Sequence, residues 1–225
     1  MSEPVNESIE KEFELERVIL FSDAVFAIAI TLLALEIKFP SFPKSLKGVD
    51  IYNLIWPTFI HFFAFTISFF FIGQSWARHL NLCKFLKQYN NKVIVFNLLL
   101  LFFIVTFPFS ISAFVDNIQS AFFIAIFVYI SNIFLVTVTQ FLFTHYILKA
   151  NSSITIPGKE DEKLYFYQKA KYSFLMLLTM MVILIIATFV SNYNPVAVGA
   201  SLYVLPIFAL IMRRRLKKFK PKNKL

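Results

Sequence analysis

Charge is scarce in this 225-residue chain, at 16% Asp, Glu, Lys and Arg, against about 25% in an ordinary soluble domain. Glycine is scarcer still, with four in the whole sequence, and none of them stands in a TVGYG-like run. Cys83 is the single cysteine, which excludes an intramolecular disulfide framework and any cysteine-rich metal or iron–sulfur site. The three histidines, His61, His79 and His145, form no HExxH pattern, and no paired-acid or Ser/His arrangement accompanies them, so no enzyme or cofactor motif is present. The acidic start (MSEPVNESIEKEFELER) has no apolar h-region. No cleavable signal peptide is expected there, and the first hydrophobic segment should persist as an anchor.

What fills the chain instead is apolar bulk. Hydrophobic residues make up 58% of it, thirty of them Phe, and the mean hydropathy is +0.70. A soluble fold of this length could not bury that much apolar surface in one core. Disordered chains are poor in these same residue types. The composition therefore predicts an all-α protein of the lipid bilayer.

A bilayer core needs roughly 20 apolar residues per helix. Six stretches meet or approach that length: 18–37, 54–76, 93–114, 121–146, 172–190 and 195–212. Pro108 near the end of the third predicts a kink or an early stop. The basic residues set the orientation. Nineteen of the 22 Lys and Arg fall in the N-terminal tail, the even-numbered loops and the C-terminal tail. Both termini are thus expected in the cytoplasm, in a plasma-membrane protein. The expected organisation is an acidic tail (1–16), a six-helix membrane domain (17–212) and a basic tail (213–225). The net charge of +9 does not indicate nucleic-acid binding, because the run RRRLKKFKPKNK directly follows a span. Arg213, Arg214, Arg215, Lys217 and Lys218 are candidates for contact with anionic lipid. The loop 149–171, with its mixed charges, reads as a solvated cytoplasmic turn.

Ionisable residues inside a span default to a functional hypothesis. Asp23 is the outstanding one, since an aspartate at a helix centre costs about 2.5–3.5 kcal/mol on insertion scales. Ser22, Asp23, Trp76, His79 and Asn97 all fall at one depth near the cytoplasmic face. A carboxylate accepts what indole, imidazole and amide groups donate, so a polar knot joining spans 1, 2 and 3 is expected; the alternative is that each group snorkels to water. Arg17, six residues before Asp23, would reach it only through a third group. Beyond Asp23, Ile28, Thr31 and Leu35 share one helical face. That stripe either lines a narrow, mostly dry constriction or packs against other helices.

Arg17-x-x-x-Phe21-Ser22-Asp23 matches the R-x-x-x-F-S-D signature of the transmembrane-protein-175 family of potassium channels. The small and aliphatic run that follows, the W-x-x-H of Trp76 and His79, the six spans and the short chain also resemble its prokaryotic members. The resemblance implies a homotetramer around a central pore lined by helix 1. It implies hydrophobic constriction layers at Ile28, Thr31 and Leu35, and a pore-helix network of Arg17, Phe21, Ser22 and Asp23 with Trp76 and His79 as partners. Asn97 joins that network on depth alone. Without a carbonyl filter, selectivity for the permeant potassium ion would come from side chains and pore width, and no cofactor is implied. A secondary transporter of a small ion or solute is the rival reading, although no duplicated halves are visible. No span carries repeated arginine, which argues against voltage sensing.

Overall fold

The computed structural model describes residues 5–37, 51–117, 120–190, 210–212 and 214–219. Six helices account for nearly all of this: α1 (Val5–Leu35), α2 (Ile51–Cys83), α3 (Asn91–Val105), α4 (Phe107–Asp116), α5 (Phe122–His145) and α6 (Glu160–Val190). Among the described residues, five segments are long and apolar enough to cross a membrane: Phe13–Leu35, Ile55–Cys83, Asn91–Asp116, Phe123–Ala150 and Glu160–Val190. The chain is an all-α, multi-pass membrane protein. The sixth expected span, 195–212, lies outside the described residues except for 210–212, and so do residues 1–4, 213 and 220–225 of the expected tails.

Several helices run further than their apolar stretches. Helix α1 already begins at Val5, inside the expected tail, and α2 continues past Trp76 to Cys83. Trp76 and His79 therefore sit within a helix and do not close it. The loop expected at 149–171 is also largely structured. A π-turn (Tyr146–Ala150) extends α5, and α6 starts at Glu160 with three acids in its first turn. Those acids read as solvated charge in the sequence, yet they suit the positive end of a helix dipole. A hydropathy window ends where apolar residues end, whereas a helix continues wherever its backbone stays paired.

Spans α3 and α4 cross as one broken unit. Pro108 stands in the first turn of α4, and Thr106 ends α3 while starting α4. A proline at this depth leaves backbone groups that lipid cannot satisfy. Two hydroxyls add bonds of their own around the break. Thr106 Oγ1 donates to the Phe103 carbonyl at 2.9 Å, and Ser110 Oγ donates to that of Phe107 at 2.8 Å. Asn132 of α5 then donates to both hydroxyls, at 3.1 and 3.2 Å. The expected kink is thus a break pinned from the neighbouring helix.

One end of the bundle is clasped. Leu86 and Thr155 form an antiparallel bridge between the α2–α3 and α5–α6 connections. Lys87 N–H reaches the Ile154 carbonyl at 2.8 Å, and Ile156 N–H reaches that of Phe85 at 2.9 Å. Gly158, with φ 86°, supplies the left-handed turn into α6 that a side chain disfavours. Lys163 is buried beneath this turn, donating to the Ile156 carbonyl at 2.6 Å and pairing with Glu160 at 2.9 Å. At the same end Tyr89 Oη donates to Glu14 Oε2 at 3.2 Å. The start of α1 and both connections therefore share one side of the membrane.

The core lies where α1 meets α2, α3 and α4, and where α5 packs on α3, α4 and α6. Phe26, Leu33, Ile72, Leu100, Ile104, Phe107 and Phe143 are fully buried there. Phe59, Phe62, Phe63 and Phe70 of α2 stay exposed, which would be a liability in water and is ordinary against lipid tails.

Candidate functional site

Helix α1 has two contrasting faces. Leu15, Ser22, Phe26, Ala29 and Leu33 are buried against the bundle, following the three-and-four spacing of a helical stripe. Small Ala29 allows close approach to the bundle. Arg17, Phe21, Ala24, Ala27, Ile28, Thr31 and Leu35 occupy the opposite face and are exposed. Ile28 is 56% and Leu35 74% accessible. The stripe carrying Ile28, Thr31 and Leu35 is therefore not buried against the described residues of the subunit.

Thr31 has a further property. Its hydroxyl donates to the Ile28 carbonyl at 2.8 Å, so its proton is turned back onto the helix. What the oxygen offers outward is lone pairs. An otherwise apolar surface thus presents one acceptor, the polarity that a cation needs.

The polar residues at the other end of α1 do come together, but as two separate groups. In the buried group, His79 Nε2 lies 2.9 Å from Asn97 Oδ1, Asn97 Nδ2 donates to Ser22 Oγ at 2.9 Å, and Ser22 Oγ reaches the Val18 carbonyl at 2.9 Å. With the His79 proton on Nε2, every donor in this series finds an acceptor, and the last acceptor is backbone. Phe26 and Phe143 rings flank the imidazole, with centroids at 5.7 and 6.2 Å. Three helices are joined through one amide, in surroundings where an unpaired polar group would be expensive.

The second group is the pair Trp76 and Asp23, with the indole Nε1–H donating to Oδ1 at 2.8 Å. Trp76 remains 39% exposed. The single knot expected around Asp23 is therefore divided: Asp23 bonds Trp76, while His79 and Asn97 bond Ser22. Shared depth predicted the set, but the position of each residue around its helix decided the pairing. Arg17 belongs to neither group. It lines a cleft of about 360 Å³ between α1 and α3, together with Glu14, Phe21, Tyr89 and Asn97. Desolvation and the adjacent Glu14 carboxylate hold the Tyr89 phenol above its ordinary pKa, so it stays a donor through the physiological range.

Some polar contacts had no counterpart in the sequence reading. His61 Nδ1 lies 3.0 Å from the Glu36 carbonyl, holding the far end of α1 to α2. Ser68 and Tyr129 are 2.8 Å apart, and Gln140 Nε2 donates to the Ser75 carbonyl at 2.8 Å. The available signal was an uncharged polar side chain inside an apolar span. Among the described residues, no group of three or more His, Cys, Asp or Glu could hold a metal ion.

The sequence pattern of the family described as endosomal/lysosomal potassium channel TMEM175 matches residues 17–108, the segment that holds both polar groups and the exposed stripe. A potassium channel of Streptomyces collinus is 35% identical over 92 residues, covering 41% of this chain and 43% of that protein. One from Chamaesiphon minutus is 35% identical over 102 residues, covering 44% and 48%. One from a Chryseobacterium species is 34% identical over 88 residues, covering 39% and 42%. The match thus spans less than half the length of each of these relatives. The fold extends further: the crystal structure of a lysosomal potassium-selective channel TMEM175 homologue from Chamaesiphon minutus superposes with a TM-score of 0.67. That superposition covers 88% of this chain and 98% of that one, at 23% identity. Residues 17–108 of this chain thus match the sequence pattern of the TMEM175 family, and its helices take the fold of a bacterial homologue of that family.

Proposed function

We propose that this protein is a potassium-permeable cation channel whose constriction is built from side chains. Several copies, four by the family resemblance, gather with the exposed face of α1 around a shared axis. Ile28 and Leu35 then form apolar layers at the narrowest depth, and Thr31 supplies a ring of hydroxyl oxygens. Such a slit gates by wetting and dewetting. Its few ligands replace ion hydration incompletely, so discrimination of potassium from sodium is modest. The buried group of Ser22, His79 and Asn97, with Asp23 and Trp76 beside it, holds the pore helix in azimuth. The proposed setting is the plasma membrane with both termini cytoplasmic. There the exposed Lys217 and Lys218, with Arg214 and Arg215, would meet anionic lipid.

The observation that carries this reading is the two-faced character of α1. Its inner face is anchored by hydrogen bonds, while its outer face is apolar, small-residue-rich and exposed among the described residues. Reconstitution in liposomes tests it. Ile28→Asn and Leu35→Asn should hydrate the constriction, raising potassium flux and lowering selectivity, with the assembly unchanged by mass. Currents indifferent to both substitutions would remove the stripe from the pore. Saturable flux without single-channel steps would identify a transporter.

A further inference from the structure

Arg78 lies between Trp76 and His79 in sequence but on another face of α2, turned towards α5 and α6. Together with Thr137, Gln140, Lys169 and Ser173 it encloses a cavity of about 20 Å³. About 10–15 Å³ is enough for one water-sized sphere, so a single small species fits and a phosphate does not. Arg78 Nε is buried and has no hydrogen-bond partner, and its Nη2 makes only a 3.5 Å contact with Ser75 Oγ. Thr137 is 3% exposed, and its Oγ1 is likewise unpartnered. That is unusual, because helical threonines ordinarily return the hydroxyl to a preceding carbonyl, as Thr144 does to that of Gln140 at 2.7 Å. Lys169, exposed at the rim, adds a second positive charge, and among the described residues no carboxylate lines the cavity.

Arg78 as a whole is half-buried with its Nε fully so, and a guanidinium in such surroundings without a described counter-charge is unfavourable. The groups left free here are an N–H and an O–H, both able to donate. Water would satisfy the hydrogen bonds but leave the charge. We propose that the cavity binds one monatomic anion, chloride under cellular conditions, held by Arg78 Nε–H and the Thr137 hydroxyl with Lys169 at its mouth. The bound ion ties the turn of α2 that carries Trp76 and His79 to α5 and α6. This site is independent of what permeates the channel.

The test uses the purified full-length protein in detergent free of anionic lipid. Thermal unfolding is followed in potassium chloride, potassium bromide and potassium gluconate at equal ionic strength. Chloride and bromide should raise Tm by about 2–4 °C over gluconate, saturating with concentration as a single site does. Thr137→Val keeps the volume but removes the donor, and should abolish that rise. Crystals grown in bromide should show an anomalous peak between Arg78 and Thr137, a readout that holds even if the variant does not fold. The proposal is overturned by an equal rise in Thr137→Val, which marks a general salt effect, or by a bromide-soaked cavity without a peak. A rise with phosphatidylglycerol vesicles but none with chloride would overturn it in favour of a lipid phosphate.

Discussion

Asn97 is the residue on which the anchoring of α1 turns, because its one amide serves both His79 and Ser22. Asn97→Ala leaves the buried His79 Nε2 without its partner, at about 1–3 kcal/mol, while Ser22 keeps its bond to the Val18 carbonyl. Trp76→Phe, by contrast, removes one exposed bond and should cost under about 1 kcal/mol. Thermal melts of the two variants check the order; a Trp76→Phe protein less stable than Asn97→Ala would show that the Asp23 pair is the anchor. Thr31→Val is the matching experiment on the exposed face. It removes the outward lone pairs at constant volume, and potassium conductance should fall about tenfold, equivalent to about 1.4 kcal/mol. Unchanged single-channel conductance would exclude Thr31 as an ion contact. At this scale much was legible: polar groups in an apolar span advertise themselves, and Ser22, Asp23, Trp76, His79 and Asn97 were all visible. Which one bonds which was not, because depth follows from position in the chain whereas azimuth depends on how helices rotate against one another.

At the scale of the element, the clasp between the two connections shows where hydropathy misleads. The loop 149–171 looks solvated by composition, yet its backbone pairs with the α2–α3 connection and its Lys163 is buried. The charge pattern there records a helix start and an ion pair. Lys163→Met leaves the Ile156 carbonyl unpaired, and should destabilise the clasp by about 1–3 kcal/mol. Limited proteolysis reads this out: faster cleavage within 152–160 is expected, with the spans intact, and an unchanged rate would mean that the bridge alone holds the connection. The α3–α4 break behaves differently, since Pro108 announced it. The bonds from the Asn132 amide to the hydroxyls of Thr106 and Ser110 that brace it gave no comparable signal, because they join two helices.

For the whole molecule, the question is what covers the outer face of α1. Lipid would accept an apolar stripe of this kind, and so would copies of the same helix around an axis. The channel reading requires the second. With Cys83 replaced by Ala, a Leu35→Cys substitution should form covalent dimers under mild oxidation in the bilayer, at high yield and without detergent-induced aggregation. Monomer alone, with the thiol freely modified by lipid-soluble reagents, would turn the helix towards lipid.

The amino-acid sequence alone determined the membrane class, the helical architecture and the position of five described spans. These follow from local composition and from the thickness of a bilayer, and need no partner to be specified. The division of α1 into an anchored and a free face, the splitting of the polar knot, the burial of Lys163 and the unpartnered Arg78 and Thr137 emerged only in three dimensions. Each depends on contacts between residues distant in the chain, and those are settled by how the helices pack.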